Sequence, residues 1–191
     1  TLAGKKERLK FFHSKGIKRI SMGIQDFDLD VQKSINRIQP KEMVEDLLTP
    51  DVRKYFNSVN FDILVGLPKQ TRESFKNTID TVIELAPDRI QLAFFNYAPR
   101  NAPHMKIIKD ADRPNDIQRH NLFLEASNSL AESGYTRIGF DHFALPSDNQ
   151  AKAMKKEKLR WNTLGFSPAT DEEIQINCQN MLGIGVNSVS R

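Results

Sequence analysis

Cysteine is nearly absent from this 191-residue chain: Cys178 stands alone. One thiol excludes an intramolecular disulfide framework and, by itself, a multi-cysteine zinc or iron–sulfur site supplied by this segment. That pattern suits a reducing compartment, so a cytoplasmic location is expected. No run approaches the roughly 20 apolar residues of a spanning helix, which argues against a membrane partner. Charge of one sign is also missing. The 28 Lys+Arg against 24 Asp+Glu leave a net +4, and the cations are scattered rather than gathered with aromatics, so no nucleic-acid partner is expected. Internal repeats and low-complexity tracts do not occur. Thr1 opens the chain without an initiator methionine or signal-type segment, and Arg191 closes it directly after the strand-like run Met181 to Ser190. Both ends are therefore expected to lie inside a longer protein.

What is present is 39% hydrophobic and 27% charged residues, enough for one domain or a large part of one. Apolar runs of strand length alternate with segments of helical period. Leu2 to Lys15 reads as an amphipathic helix stopped by Gly16, and Ile17 to Ile24 as a buried strand ending at Gln25-Asp26. Asp28 can cap a short helix through Asn36, and Lys41 to Tyr55 is helical with an interruption at Thr49-Pro50. Phe61 to Leu67 is the second strand. Thr71 caps a helix with Phe75, Ile79, Val82 and Ile83 on one face, Arg89 to Tyr97 is a third strand, and Pro114 suits the first turn of a long helix ending at Ser133-Gly134. Tyr135 to Phe143 is strand-like, and Ser147 to Lys158 is a polar surface helix.

Strands separated by helical crossovers pair in parallel, so the fold class is α/β, a layered or barrel arrangement. Ligands of such folds sit at the C-terminal ends of the strands. Three ends carry polar residues: Gln25-Asp26, Asp62 with the loop Gly66-Leu-Pro-Lys-Gln-Thr71, and Asn96-Tyr-Ala98.

Ser21-Met-Gly-Ile-Gln-Asp-Phe27, Asn36-Arg37, Asp62 with Gly66 to Thr71, Asn96-Tyr-Ala98, Ile108-Lys-Asp-Ala-Asp112 and Asp141-His-Phe-Ala144 occur in one order. With them the chain resembles the oxygen-independent coproporphyrinogen III oxidases, which are radical S-adenosylmethionine enzymes, from the first helix to Gly183–Ser190. The resemblance implies a partial parallel (β/α) barrel of radical-SAM type, truncated on its N-terminal side and carrying additional strands near its C-terminus. Residues 1–191 would be a fragment of a single catalytic domain. It implies a 4Fe-4S cluster on a C-x-x-x-C-x-x-C loop that lies outside this chain, two S-adenosylmethionine molecules, coproporphyrinogen III as substrate and an external electron donor. In the family, a 5′-deoxyadenosyl radical takes a hydrogen from a propionate side chain before carbon dioxide leaves, and two propionates become vinyls, giving protoporphyrinogen IX. The fragment alone is expected to be inactive, and an exposed sheet edge is expected to favour self-association.

Carried over by position, the resemblance implies Gln25, Arg37 and Asp62 as contacts of a second S-adenosylmethionine, with Ala98 and Val189 contacting the first. An amide offers donor and acceptor together, an arginine can grip a carboxylate bidentately, and an aspartate at a strand end accepts from an ammonium or a hydroxyl. Each has a structural alternative. Gln25 and Asp62 can satisfy backbone groups at strand ends, Arg37 can neutralise a helix C-terminus, and Gly66 to Thr71 can be a tight strand-to-helix connection with a threonine cap. Asp141-His142 reads either as an orienting pair or proton donor, or as a satisfied buried histidine.

His13, His104 and His120 read as surface residues, Asp110 and Asp112 as a solvated charged turn, and Cys178 as a small hydrophobe. The chain departs from the family pattern at Pro99 to Pro103, at Asn162 to Pro168 and in an expanded Ala169 to Asn180. Those loops leave open a diverged enzyme acting on another tetrapyrrole, and a heme carrier on the same scaffold, marked by a histidine-bearing cysteine motif upstream, is a second alternative.

Overall fold

The computed structural model describes residues 2–162, 165–171 and 183–184. Helix α1 (Leu2–Ser14) leads through Gly16, in the left-handed region at φ 88°, into strand β1 (Arg19–Gln25). Three short helices follow: α2 (Leu29–Ser34), α3 (Lys41–Leu47) and α4 (Pro50–Arg53). Asp28 starts α2 by accepting from the amides of Asp30 and Val31. Strand β2 (Ser58–Val65), helix α5 (Arg72–Leu85) and strand β3 (Arg89–Phe94) complete the parallel part. Thr71 caps α5, as the sequence predicts, Ser74 completes a reciprocal capping box, and Ala86 closes the helix at φ 46°. Beyond two 3-10 turns at Pro103–Ile107 and Asp110–Asp112 come α6 (Asp116–Glu132), β4 (Thr136–Gly139), β5 (His142–Ala144), α7 (Asn149–Lys155) and the hairpin β6 (Leu159–Asn162) with β7 (Gly165–Pro168).

The main sheet has the order β1-β2-β3-β5-β4. Strands β1, β2 and β3 are neighbours and parallel, in the register Gly23↔Asp62↔Gln91, as expected. Strand β5 joins β3 antiparallel, and β4 joins β5 antiparallel. The sheet is therefore mixed and open, and the barrel is not closed.

Several expected boundaries are corrected. Tyr135 to Phe143 is not one parallel strand but a hairpin, because the chain reverses at Phe140-Asp141, where Arg137 donates to the Phe140 carbonyl. The third strand stops at Phe94 rather than Tyr97; after the Phe95 amide bonds to the Val65 carbonyl, Arg119 Nη2 takes the Phe95 carbonyl and the ladder ends. The first two strands are Arg19–Gln25 and Ser58–Val65. Pro114 precedes the cap instead of occupying the first turn, since Asn115 and Gln118 form the capping box of α6. Helix α7 buries Gln150, Ala151 and Ala153, so it is not a free surface helix.

The two sheet faces differ sharply in chemistry. Ile24, Val59, Phe61, Ile63, Val65, Ile90, Leu92 and Phe143 form one core with Phe75, Ile79 and Val82 of α5 and Leu122, Phe123, Ala126 and Leu130 of α6. The opposite face carries Ser21, Asn60, Asp62, Arg89, Gln91 and His142 at the alternate strand positions. A parallel sheet covered by helices on both sides would be apolar on both. This one is polar on its second face, which lines a cavity.

Candidate functional site

Two of the expected cofactor residues, Gln25 and Arg37, meet at Gly23, and a third, Asp62, is its register partner on β2. A Cβ built at Gly23 would stand 2.5 Å from the Gln25 side-chain nitrogen and 3.1 Å from Arg37 Nη2. Arg37 also donates to the Gly23 carbonyl at 2.5 Å. Gln25 reaches this place because β1 is irregular there: its register slips after Gly23, and Gln25 itself lies at φ 73°. An extended residue would send its side chain to the alternate position. Asp62 stands beside Gly23 in the register; it accepts from Ser21 Oγ at 2.9 Å and Asn60 Nδ2 at 2.6 Å. Amide and guanidinium thus cover a backbone position left open by the missing side chain, with a carboxylate-bearing residue at the adjacent register position. This is the donor and acceptor set that a group bearing both an ammonium and a carboxylate requires, so these residues fit the amino-acid part of S-adenosylmethionine.

Ala98 lies elsewhere, on the half-buried loop after β3, with its amide 3.4 Å from Met105 sulfur. That loop is clamped from α6 and the turn before it: the Arg113 guanidinium lies 4.0 Å from the Tyr97 ring centre, and Arg119 of α6 covers Phe94 while its shaft fills the space above Gly66. Val189 and Cys178 lie outside the described residues, as do the expanded loop at 172–180 and most of the strand-like run at 181–190. Among the described residues no cluster of three or more histidine, cysteine, aspartate or glutamate side chains could hold a metal ion.

The loop Gly66 to Thr71 follows its structural reading. Gln70 is buried, takes the Gly66 amide on its oxygen at 2.6 Å, and donates to Asp26 Oδ2 at 2.7 Å and to the Leu64 carbonyl. Asp26 is fully buried and also accepts from Thr78 Oγ1 and the Asp28 amide. Burial pushes its carboxyl above the ordinary range, against those hydrogen bonds. This network locks the end of β1, and so Gln25, to the β2–α5 loop. The sequence shows the residues but not their pairing.

Below Gly23 the concave face opens into a cavity of about 500 Å³ lined by Arg19, Asp62, Arg89, Gln91, His142 and Phe166, among others. Arg89 is tied back by Ser58 Oγ, itself bonded to Asp148. Asp141 accepts from His142 Nδ1 at 2.7 Å and from Gln91 Nε2 at 3.2 Å. Burial works to raise the Asp141 carboxyl, but these bonds outweigh it and hold it below the usual carboxylate range. Sequence reasoning missed Ser21, Asn60, Arg89 and Gln91 as lining residues. Their signal was present: polar residues at every second position of strands otherwise built from apolar ones. The remaining histidines behave as surface groups, His13 against Tyr55 and Lys18, with His104 and His120 exposed. Asp110 pairs with Arg113 in the charged turn.

No protein-family model matches the chain. The structure is similar to that of coproporphyrinogen III oxidase HemN from Escherichia coli, a radical SAM enzyme, with a TM-score of 0.85 and 37% identity over 97% of this chain and 41% of that one. In fold the chain is therefore similar to a radical SAM enzyme. In sequence the chain is 39% identical over 184 residues to the anaerobic coproporphyrinogen III oxidase 1 of Cereibacter sphaeroides, and 40% identical to the oxygen-independent coproporphyrinogen III oxidase of Escherichia coli K12. It is homologous to a segment of the oxygen-independent coproporphyrinogen III oxidases. That homology covers 96% and 95% of this chain but only 39% and 38% of those relatives.

Proposed function

We propose that this chain is the cofactor- and substrate-positioning part of an oxygen-independent coproporphyrinogen III oxidase, and that residues 1–191 form part of one catalytic domain. The observation that carries this reading is the convergence of the Gln25 amide and the Arg37 guanidinium over Gly23, beside Asp62. Homology to oxidases of that name over nearly the whole chain supports it. The overall reaction converts each of two propionates to a vinyl with loss of carbon dioxide, one hydrogen atom and one electron, so an electron donor and acceptor outside this chain are implied.

Bound S-adenosylmethionine and a 4Fe-4S cluster would supply the hydrogen-abstracting radical. Arg37 and Gln25 would hold the carboxylate and ammonium of one S-adenosylmethionine, with Asp62 as the opposing acceptor. Ala98 and Val189 would line the nucleoside of the other. A single thiol cannot ligate the cluster, so its cysteines would lie outside this chain. In this reading the polypeptide alone is inactive, works in the cytoplasm as part of the whole enzyme, and self-associates through the β1 edge of the sheet.

Anaerobic incubation of the intact, cluster-loaded protein with S-adenosylmethionine, reductant and coproporphyrinogen III tests the reading. Protoporphyrinogen IX with matching 5′-deoxyadenosine is the expected result. Stoichiometric heme binding without decarboxylation would identify a carrier instead. Reconstitution of residues 1–191 with iron and sulfide is expected to leave a colourless protein.

A further inference from the structure

Two of the cavity's features are not used by the cofactor reading: the Asp141–His142 pair and the aromatic wall around it. His142 sits on β5 opposite Gln91, so its side chain enters the concave face. Its ring is only 14% exposed and is held edge-on by Phe166, at 5.2 Å between ring centres and 79°, and by Trp161 at 6.3 Å and 80°. Gly139 makes room for this wall, since a Cβ there would stand 2.1 Å from the Phe166 ring. Gly165 flanks the other edge, where a Cβ would lie 3.7 Å from His142 Nε2. Ring position and tilt are thus fixed by packing.

The protonation pattern is fixed by hydrogen bonding. Asp141 has an acceptor-only carboxylate when ionised, and its second oxygen is already taken by Gln91. The proton between the pair therefore sits on Nδ1, so in its uncharged form the ring presents a lone pair on Nε2. That atom has no protein hydrogen-bond partner among the described residues and reaches the cavity that also contains Asp62. A clamped ring with one nitrogen committed and the other open is an arrangement for receiving a donor on a ligand.

We propose that His142, oriented by Asp141, is a substrate-positioning residue whose Nε2 accepts a hydrogen bond from a pyrrole N–H of the tetrapyrrole. The inference rests on the oxidase reading above and names the contact that would hold the substrate within the same concave face. A porphyrinogen has no conjugated macrocycle, so its pyrroles tilt independently and their N–H groups can turn towards a wall. In a porphyrin they point into the ring centre. Arg89 is committed to Ser58 and Asp148, so Arg19, lining the same cavity, is the group suited to a carboxylate, which leaves the uncharged acceptor for nitrogen. The Asp62 side of the cavity adjoins Gly23, so a pyrrole held here would lie next to the cofactor cradle.

The test uses the intact, cluster-loaded protein and two independent readouts, anaerobic equilibrium dialysis against coproporphyrinogen III and equilibrium binding of S-adenosylmethionine. His142→Leu is expected to weaken coproporphyrinogen binding about tenfold, the scale of one buried hydrogen bond, with KM rising more than kcat falls. His142→Gln, which keeps an acceptor oxygen, restores most of the loss, and Asp141→Asn weakens binding in the same direction with His142 still in place. S-adenosylmethionine affinity stays within about twofold of wild type in all three, because no cofactor contact is touched. Unchanged coproporphyrinogen affinity in His142→Leu overturns the inference. A parallel loss of both ligands also overturns it, placing His142 on the cofactor side. Should His142→Leu misfold, His142→Gln and Asp141→Asn decide the matter: failure of Asp141→Asn to weaken binding counts against it. Wild-type protein that binds no coproporphyrinogen overturns the oxidase reading itself, which is a separate outcome.

Discussion

On strand β2, neighbouring residues belong to different problems. Val59, Phe61, Ile63 and Val65 are at most 1% exposed and pack under α5 and α6, whereas Asn60 and Asp62 between them face the cavity and bond to each other and to Ser21. The apolar face is held by buried area, which is strong and undirected; the polar face is held by hydrogen bonds, each modest and directional. A fold can therefore tolerate change on the second face that it cannot on the first, and this frees the second face to evolve a site. The largest expected effect follows. Phe61→Ala should cost about 3–5 kcal/mol in urea unfolding, from lost burial plus a residual cavity. Its neighbour Asp62→Asn, which keeps shape and one acceptor, should cost under about 1.5 kcal/mol. Equal losses at the two positions would break the division between the faces.

Asp26 crosses that division, because it is an ionisable group sunk in the framework rather than displayed in the site. Its native carboxyl binds its proton more tightly than the unfolded one, burial being the chief cause. Unfolding then releases a proton at any pH between the ordinary carboxylate range and the native pKa, so this residue's contribution to stability falls as the pH rises through that window. Asp26→Asn has no such dependence. The stability of wild type relative to this variant should be highest at and below about pH 4 and decline above it before levelling off. Chemical denaturation of both proteins across that range measures the difference; a gap that grows in favour of wild type as the pH rises would contradict it.

The same contrast explains what the sequence makes legible. Burial leaves a periodic trace, so the parallel strands β1, β2 and β3 and the face Phe75, Ile79 and Val82 of α5 follow from spacing, and Thr71 announces its own cap. The fourth strand misleads because Phe140, 66% exposed, continues the apolar pattern across a turn. Hydrogen-bond partners leave no such trace. Gln70 and Asp26 are 44 residues apart, Ser58 and Asp148 are 90 apart, and nothing local in either pair reports the other. Of the site, Gln25 and Asp62 stand out as polar residues at strand ends, Arg37 is reachable only through family resemblance, and the irregularity that brings Gln25 to Arg37, the slipped register with Gln25 at positive φ, is a tertiary feature.

The smallest stability effect and the sharpest test of the polar face concern Gly23. Its φ does not lie in the left-handed region, so alanine meets no backbone strain there; the added methyl meets only the far ends of two flexible side chains, the Gln25 amide at 2.5 Å and the Arg37 guanidinium at 3.1 Å. Both can swing into solvent, so Gly23→Ala should change unfolding free energy by less than about 0.5 kcal/mol, within the range of surface substitutions. The cradle, by contrast, is filled. Arg37→Ala removes one wall and should weaken S-adenosylmethionine binding by the intact protein about tenfold or more, as loss of a charge-assisted contact does. Gly23→Ala should approach that loss with neither functional side chain altered. If alanine at 23 leaves S-adenosylmethionine affinity unchanged while Arg37→Ala reduces it, the cofactor touches Arg37 from another direction and the space above Gly23 is not its seat.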